Sequence, residues 1–407
     1  MCDVQTGHFL MGSLGLYQVG KFLGRGSYGR VAECTKMGSN ETFAIKIVDD
    51  LRAGSEEMEA MKIIRSLNPD QNNLIKIHEC FQYKDYMCLV YEMLDESLED
   101  FIGKRSFHPA HLCQIRAIAQ QMLVALSGLE SINVLHGDIK PDNIMFVDQI
   151  TNPLKLKLID FGLAVNPQEL NVGTQMQINP FRAPEVILGL PLDVSVDMWS
   201  LAVVLATLYI GDVPFSYNSD YETIRGLFSY DFFTYEEEST TGEDDHRAFL
   251  DLLRSMLAID PRQRMTPSSA LAHDFITMNH LSGERKASYA ASAKHAMREA
   301  GIKDMEERFP TTSTDVVSVR ETREEERCDH ISNSSMTDTR DICDAPPAGI
   351  KEEPATQPRG YCCCAKHLTD HVIWIEQLSV LRHLFNGDAR TSFRKSTGET
   401  QALSVRA

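Results

Sequence analysis

The chain has 407 residues and a formal net charge of −18, a balance that argues against a nucleic-acid groove and is otherwise ordinary for a soluble protein. Its ten cysteines, at positions 2, 34, 80, 88, 113, 328, 343 and 362–364, lack paired metal-ligand spacing and read as reduced intracellular thiols. No secretory leader is expected, since Met1-Cys2-Asp3-Val4 has no basic region before an apolar core, and the longest apolar run, 201–210, is too short to span a bilayer and reads as a buried core helix.

Residues 17–95 read as strand-rich with one helix, and the first informative stretch is Gly24-Arg25-Gly26-Ser27-Tyr28-Gly29-Arg30-Val31. Glycines in a G-x-G-x-x-G pattern let backbone N–H groups approach phosphates without a Cβ in the way. A dinucleotide-binding fingerprint shares that pattern but needs a helix straight after the glycines and an acidic residue further on. Here the glycines run instead into Arg30-Val31-Ala32-Glu33-Cys34, a polar turn at 37–41, and Thr42-Phe43-Ala44-Ile45-Lys46-Ile47-Val48. Strand, turn and strand make a hairpin that folds over phosphates, with Lys46 in the second strand. Alone, Lys46 would be a strand-edge lysine kept in water; behind a glycine loop it is a phosphate ligand.

A helix is expected over 56–67, where Met58, Met61, Ile64 and Leu67 recur at helical spacing and define the inward face. The acid that pairs with Lys46 belongs beside that face: Glu57 fits best, and Glu56 and Glu59 compete. Leu89-Val90-Tyr91-Glu92-Met93-Leu94 follows as an apolar strand running into a polar connector.

Residues 98–281 read as mainly helical. His136-Gly137-Asp138-Ile139-Lys140-Pro141-Asp142-Asn143 is a tight loop after the apolar run 132–135, and Asp160-Phe161-Gly162 follows an apolar strand at 154–159. Transfer of a phosphoryl group needs little covalent chemistry from a protein, so the groups to seek hold metal, orient a hydroxyl and neutralise charge. Asp138 is the candidate to orient the acceptor hydroxyl and take its proton, and Asn143 and Asp160 offer the hard oxygens that Mg²⁺ prefers. The same acids could be mere turn residues and helix caps, but here every metal and base position is filled. Ala183-Pro184-Glu185 comes next, then Asp197-Met198-Trp199-Ser200 at the head of the apolar helix, where Asp197 can accept from backbone N–H groups and brace the catalytic loop.

The glycine loop, Phe43-Ala44-Ile45-Lys46, the 136–143 loop, Asp160-Phe161-Gly162 and Ala183-Pro184-Glu185 together resemble the protein kinase signature set, in its order and near its separations. Any one would be weak; the conjunction is specific. The resemblance implies an α+β, two-lobed kinase fold, with a strand-rich N-lobe at about 16–95, a larger helical C-lobe at about 96–281, and ATP in the cleft. It places Leu23, Gly24, Gly26, Gly29, Val31, Ala44, Lys46 and Glu57 at the ATP site, with Tyr91 as a bulky gatekeeper and the backbone of Glu92 and Leu94 facing adenine. Asp138, Lys140 and Asn143 form the catalytic set, Lys140 matching the serine/threonine version of the loop, and Asn143 and Asp160 bind Mg²⁺. Arg264 is expected to salt-bridge Glu185.

At 182–191 and 197–200 the resemblance narrows to the homeodomain-interacting protein kinases, of the branch containing the cyclin-dependent and dual-specificity tyrosine-regulated kinases. Residues 79–82, 92–94, 143–145 and 275–281 are similar to that family too, and the likeness covers about 16–281. It implies a serine/threonine kinase acting on protein substrates such as transcription regulators, in the nucleus and/or cytoplasm. The alternative is a catalytically weak scaffold that keeps the fold and signals by binding. Several features depart from the family. Pro180-Phe181 replaces a tyrosine pair before Arg182, the 229–245 stretch is short, and the interval from Lys46 to Glu57 implies a small-lobe helix lacking its first turn. Gly137 is no departure, since the resembling family also tends to carry a small residue where phosphate-switched kinases have an arginine; with the tyrosine replaced by Pro180 as well, the resemblance implies a loop held instead by packing of Phe181 and by Arg182 on nearby backbone or acids. Thr174 is the remaining acceptor there.

One domain of this kind has roughly 260 residues, so extra segments are expected. Residues 1–15 read as an N-terminal extension and 282–407 as a mostly disordered tail, with possible helices near 287–307 and at 371–385, the latter as a partner-binding helix or one packing back on the kinase. Within the tail, Cys362-Cys363-Cys364 is an acylation candidate. Ile350-Lys351-Glu352-Glu353 resembles a SUMO acceptor site, which makes Lys351 the candidate for conjugation.

Overall fold

A computed structural model describes residues 3–26, 29–215, 218–229, 242–282 and 286–302. The chain divides into two units, Met1–Phe309 and Pro310–Ala407, and every described residue belongs to the first. Ser27 and Tyr28 of the glycine loop, residues 230–241, Lys351, the Cys362-Cys363-Cys364 run and the expected helix at 371–385 lie outside the described residues.

Period-two alternation of apolar side chains builds a six-stranded antiparallel sheet. It comprises β1 (Phe9–Met11), β2 (Leu16–Gly26), β3 (Gly29–Lys36), β4 (Thr42–Val48), β5 (Ile77–Tyr83) and β6 (Tyr86–Glu92), ordered β1-β2-β3-β4-β6-β5. Phe43, Ile45 and Ile47 of β4 pack on one face with Tyr17, Val19, Ala32, Cys34, Cys88 and Val90. The alternate residues Ala44, Lys46 and Val48 turn to the other face, and the register sets Lys46 opposite Val31 of β3 and Leu89 of β6.

Residues 3–15, the expected N-terminal extension, pack on the sheet. Val4 and Leu10 are buried in the sheet's small core, and β1 pairs with β2. Ser13 N–H and the Tyr17 hydroxyl both donate to the Glu79 carboxylate, at 2.7 and 2.6 Å, which ties the turn after β1 to β5.

The small-lobe helix also differs from its expected span. α1 runs Leu51–Ile64, starting five residues early, with its first turn intact and capped by Asp50, whose carboxylate accepts from Arg52 N–H at 2.9 Å and Ala53 N–H at 3.3 Å. Gly54-Ser55 reads as a helix breaker in sequence. In the fold Gly54 is required, because a Cβ there would lie 2.5 Å from Met87 Cβ on β6. The inward face is therefore Gly54, Glu57, Ala60, Met61 and Ile64, with Met58 only half-buried.

The helical lobe contains α2 (Leu98–Lys104), α3 (Leu112–Ser131), α4 (Pro184–Ile187), α5 (Ser195–Ile210), α6 (Asp220–Ser229), α7 (Glu243–Met256), α8 (Pro267–Leu271), α9 (Asp274–Thr277) and α10 (Ala287–Glu299), with a hairpin of β7 (Ile144–Asp148) and β8 (Asn152–Leu158). α5 is the expected core helix, buried nearly all round from Val196 to Leu208. α3 is long and apolar enough to cross a membrane, but 83% of its apolar window is buried inside the fold, as befits a core helix. α10 extends the folded body beyond 281: Ala293, Ala296 and Met297 are buried, and the Tyr289 hydroxyl donates to Asp245 at 2.7 Å.

Glu185 and Arg264 meet as expected. Both are buried, and two guanidinium nitrogens bind the two carboxylate oxygens at 2.6 and 2.9 Å, with Ser195 and Ala258 carbonyls taking further N–H groups. The guanidinium also lies 5.2 Å from the centre of the Trp199 ring. Removing one partner of a buried pair strands the other charge in low dielectric. Arg264→Ala is therefore expected to lower unfolding free energy by about 3–5 kcal/mol, measured by chemical denaturation; a loss below about 1 kcal/mol would mean the pair is solvated.

Candidate active site

Lys46, Glu57, Asp160 and Tyr91 converge between the lobes. Lys46 Nζ donates to Glu57 Oε2 at 2.7 Å and to Asp160 Oδ1 at 2.6 Å, and the Tyr91 hydroxyl donates to Glu57 Oε1 at 2.8 Å. Of the three competing glutamates, Glu57 alone faces inward, 2% exposed; Glu56 pairs with Arg52 and Glu59 with Lys62 at the surface. Burial by itself would lower the Lys46 pKa, but the Glu57 and Asp160 carboxylates reverse this and hold it above the ordinary lysine value. Burial likewise pushes Asp160 up, and the Lys46 ammonium outweighs it, leaving that carboxyl below its usual range. Glu57 stays raised, because its burial exceeds what Lys46 returns.

Asp160 sits at φ 60°, a left-handed conformation that aspartate tolerates better than most non-glycine residues. Its carboxylate is held by Lys46, and Gly162 beside it leaves room: a Cβ there would come within 3.3 Å of Asp160 Oδ1 and 3.5 Å of Lys46 Nζ.

The 136–143 loop is organised from behind. Asp197, 2% exposed, accepts from His136 N–H at 2.7 Å and Gly137 N–H at 3.0 Å, and His136 Nε2 lies 3.0 Å from the Ile159 carbonyl. Burial raises the Asp197 pKa, opposed by the His136 ring and these N–H groups. On the open side, Asp138 Oδ2 accepts from Lys140 Nζ at 2.8 Å and from Asn143 Nδ2 at 2.9 Å. Asn143 thus commits its amide nitrogen to Asp138, which leaves the amide oxygen as a donor to metal. Among the described residues no cluster of three or more His, Cys, Asp or Glu forms a metal cage. A sparse set of hard oxygens, Asp160 and Asn143, fits Mg²⁺, which keeps waters and leans on substrate phosphates.

At the connector, Glu92 N–H donates to the Lys76 carbonyl at 3.0 Å while its carboxylate takes Lys76 N–H and Lys157 Nζ, each at 2.7 Å. Its side chain is thereby occupied as a brace. Lys157, 2% exposed, also reaches Asp70 at 2.7 Å; in an alternating β8 it reads as solvated, so sequence gave no signal for it. Leu94 is buried, Val31 and Ala44 are half-buried, and Leu23 is exposed at 46%.

The segment before α4 is held by packing and by hydrogen bonds to backbone and side chains. Phe181 is 2% exposed and its carbonyl accepts from the Ser200 hydroxyl at 2.8 Å. Arg182 donates to the Gln177 carbonyl at 2.7 Å, the Met176 carbonyl at 3.1 Å and Asp220 at 2.8 Å. Gln177, missed in the sequence, is buried at φ 62° and ties Ser200, the Val196 carbonyl and Ala183 N–H together at 2.6, 3.1 and 2.9 Å. Gly137 has φ 78°, and a Cβ there would meet the Leu163 carbonyl at 3.4 Å and Met176 Cε at 3.5 Å. Thr174 donates only locally, to the Asn171 carbonyl at 2.7 Å.

The protein kinase domain family matches residues 17–276. Homeodomain-interacting protein kinase 1 of Mus musculus is 35% identical over 334 residues, covering 65% of this chain and 28% of that protein. Homeodomain-interacting protein kinase 2 of Mesocricetus auratus is 35% identical over 65% of this chain and 29% of its own length. The Caenorhabditis elegans homeodomain-interacting protein kinase 1 is 31% identical over 69% and 42%. The chain thus spans less than half the length of these relatives. A crystal structure of the PF14_0431 kinase domain superposes with a TM-score of 0.56 at 27% identity, covering 68% of this chain and 98% of that one.

The close approach of α1 to β6 has a measurable consequence. Gly54→Ala inserts a methyl group against Met87 Cβ and is expected to destabilise the fold by about 1–3 kcal/mol, as α1 moves away from β6. Differential scanning calorimetry checks this; unchanged stability would mean the helix yields freely.

Proposed function

The chain belongs to the protein kinase domain family, and from that premise we propose that it is an ATP-dependent protein serine/threonine kinase that uses Mg²⁺. What carries the reading is the single observation that Lys46 is ion-paired to both Glu57 and Asp160. In the proposed mechanism Lys46 neutralises phosphate charge in a nucleotide cleft lined by Leu23, Gly24, Gly26, Gly29, Val31 and Ala44, with Tyr91, Glu92 and Leu94 at its rear. Asp138 orients the acceptor hydroxyl and takes its proton, Lys140 balances the charge, and Asn143 and Asp160 would hold the cation. A Mg²⁺ held by Asn143 and Asp160 would supply charge neutralisation to the nucleotide phosphates. The relatives are named for interaction with homeodomain proteins, and by extension we take the substrates to be transcription or stress regulators, met in the nucleus and/or cytoplasm. SUMO conjugation at Lys351 belongs to the same proposal; Lys351→Arg should abolish it, and undiminished conjugation would remove the site.

Transfer of radiolabelled γ-phosphate by the purified chain to peptides bearing Ser, Thr or Tyr tests the reading. Label is expected on Ser and Thr, and Lys46→Met and Asp138→Asn should each lower turnover about 10²–10⁴-fold with the fold intact. Near-wild-type turnover in either variant would end the assignment, and no transfer at all would leave a binding scaffold.

A second test concerns regulation. Because Arg182 and Gln177 bind the loop to backbone carbonyls, Ser200 and Asp220, phosphatase treatment and Thr174→Ala should each leave activity within about tenfold of wild type, ~1.4 kcal/mol of barrier. A larger loss in either case would reveal a phosphate switch.

A further inference from the structure

Tyr91 lies on β6 with its ring buried, 6% exposed, and its hydroxyl on Glu57 Oε1. Glu57 Oε2 is the oxygen that accepts from Lys46. The two oxygens of one carboxylate therefore have separate donors, one on β4 and one on β6. One turn earlier on α1, Gly54 meets Met87. Met87 and Tyr91 are four residues apart on a strand and so share a face, as Gly54 and Glu57 do at helical spacing. α1 is fastened to β6 at two points, a close apolar approach and a hydrogen bond to a charged group. Phenylalanine at 91 would fill the same space and deprive Glu57 Oε1 of that donor.

Resting on the kinase reading above, we propose that the Tyr91 hydroxyl is a positioning group for phosphoryl transfer, fixing the Glu57 carboxylate, and with it α1, in the orientation that holds Lys46. The hydroxyl acts through Glu57 and needs no contact with nucleotide or acceptor. It makes the orientation of α1 a property of the chain's own wiring, consistent with a Gly137 that offers no side chain to read a loop phosphate.

The test is a double-mutant cycle on the full chain with Tyr91→Phe, Glu57→Ala and both, since alanine leaves the hydroxyl no acceptor at position 57. Tyr91→Phe is expected to lower kcat by about tenfold or more. The dissociation constant for adenosine, which has no phosphates for Lys46 to hold, should stay within about twofold, and in the Glu57→Ala background Tyr91→Phe should add less than about twofold. Equal kcat losses in both backgrounds, or adenosine binding weakened about tenfold by Tyr91→Phe, would make Tyr91 a packing residue and overturn the proposal. Hydrogen exchange of the α1 amides gives a readout that needs no turnover. Tyr91→Phe should speed exchange there, and unchanged exchange contradicts the proposal. A wild-type chain that transfers no phosphate would sink the kinase reading, while the exchange arm would still decide whether Tyr91 fixes α1.

Discussion

A largely buried ammonium group between two carboxylates is the constraint on which the rest of the site depends. Removing Lys46 Nζ from water is unfavourable unless anions replace the lost hydration, and the fold brings those anions from α1 and from the turn after β8. Each element is then fixed for its own reason: α1 by the Asp50 cap and the Gly54 contact, Asp160 by a left-handed backbone and by its carboxylate's bond from Lys46. Two carboxylates facing one ammonium leave an excess of negative charge, a setting that suits a divalent cation arriving with nucleotide phosphates.

The same logic of buried groups with several partners recurs in the helical lobe. Asp197 holds the backbone of His136 and Gly137, Gln177 holds the turn before α4, and the Glu185–Arg264 pair locks α4 to the segment after α7. Strain at Gln177 is tolerable because its side chain makes three hydrogen bonds that a relaxed backbone would forfeit.

Much of the site was legible in the sequence because its chemistry demands particular residue types at particular separations. The glycines, Lys46, Asp138, Asn143 and Asp160 could be read from motif order, and Glu57 from its neighbours' periodicity. The start of α1 could not, since Gly54-Ser55 looks like a break until Met87 is seen against it. Gln177 and Lys157 read as solvated polar residues, because burial is a property of the assembled lobes. The partner of the Tyr91 hydroxyl was equally hidden: sequence shows a bulky residue on an apolar strand, and only the packing of α1 brings Glu57 to it. The packing of the chain's flanking elements was less legible: β1 is apolar throughout but only three residues long, and α10 is dominated by alanine, so neither carries a periodic pattern that announces the surface it covers.

The central claim is that this site is assembled by the chain's own contacts. Native-state amide exchange on protein freed of phosphate tests it most directly, read at Gly137 and Ala183, whose N–H groups donate to Asp197 and Gln177. The account predicts protection at both amides close to that of core helix α5. Exchange at the rate of exposed loops would contradict it.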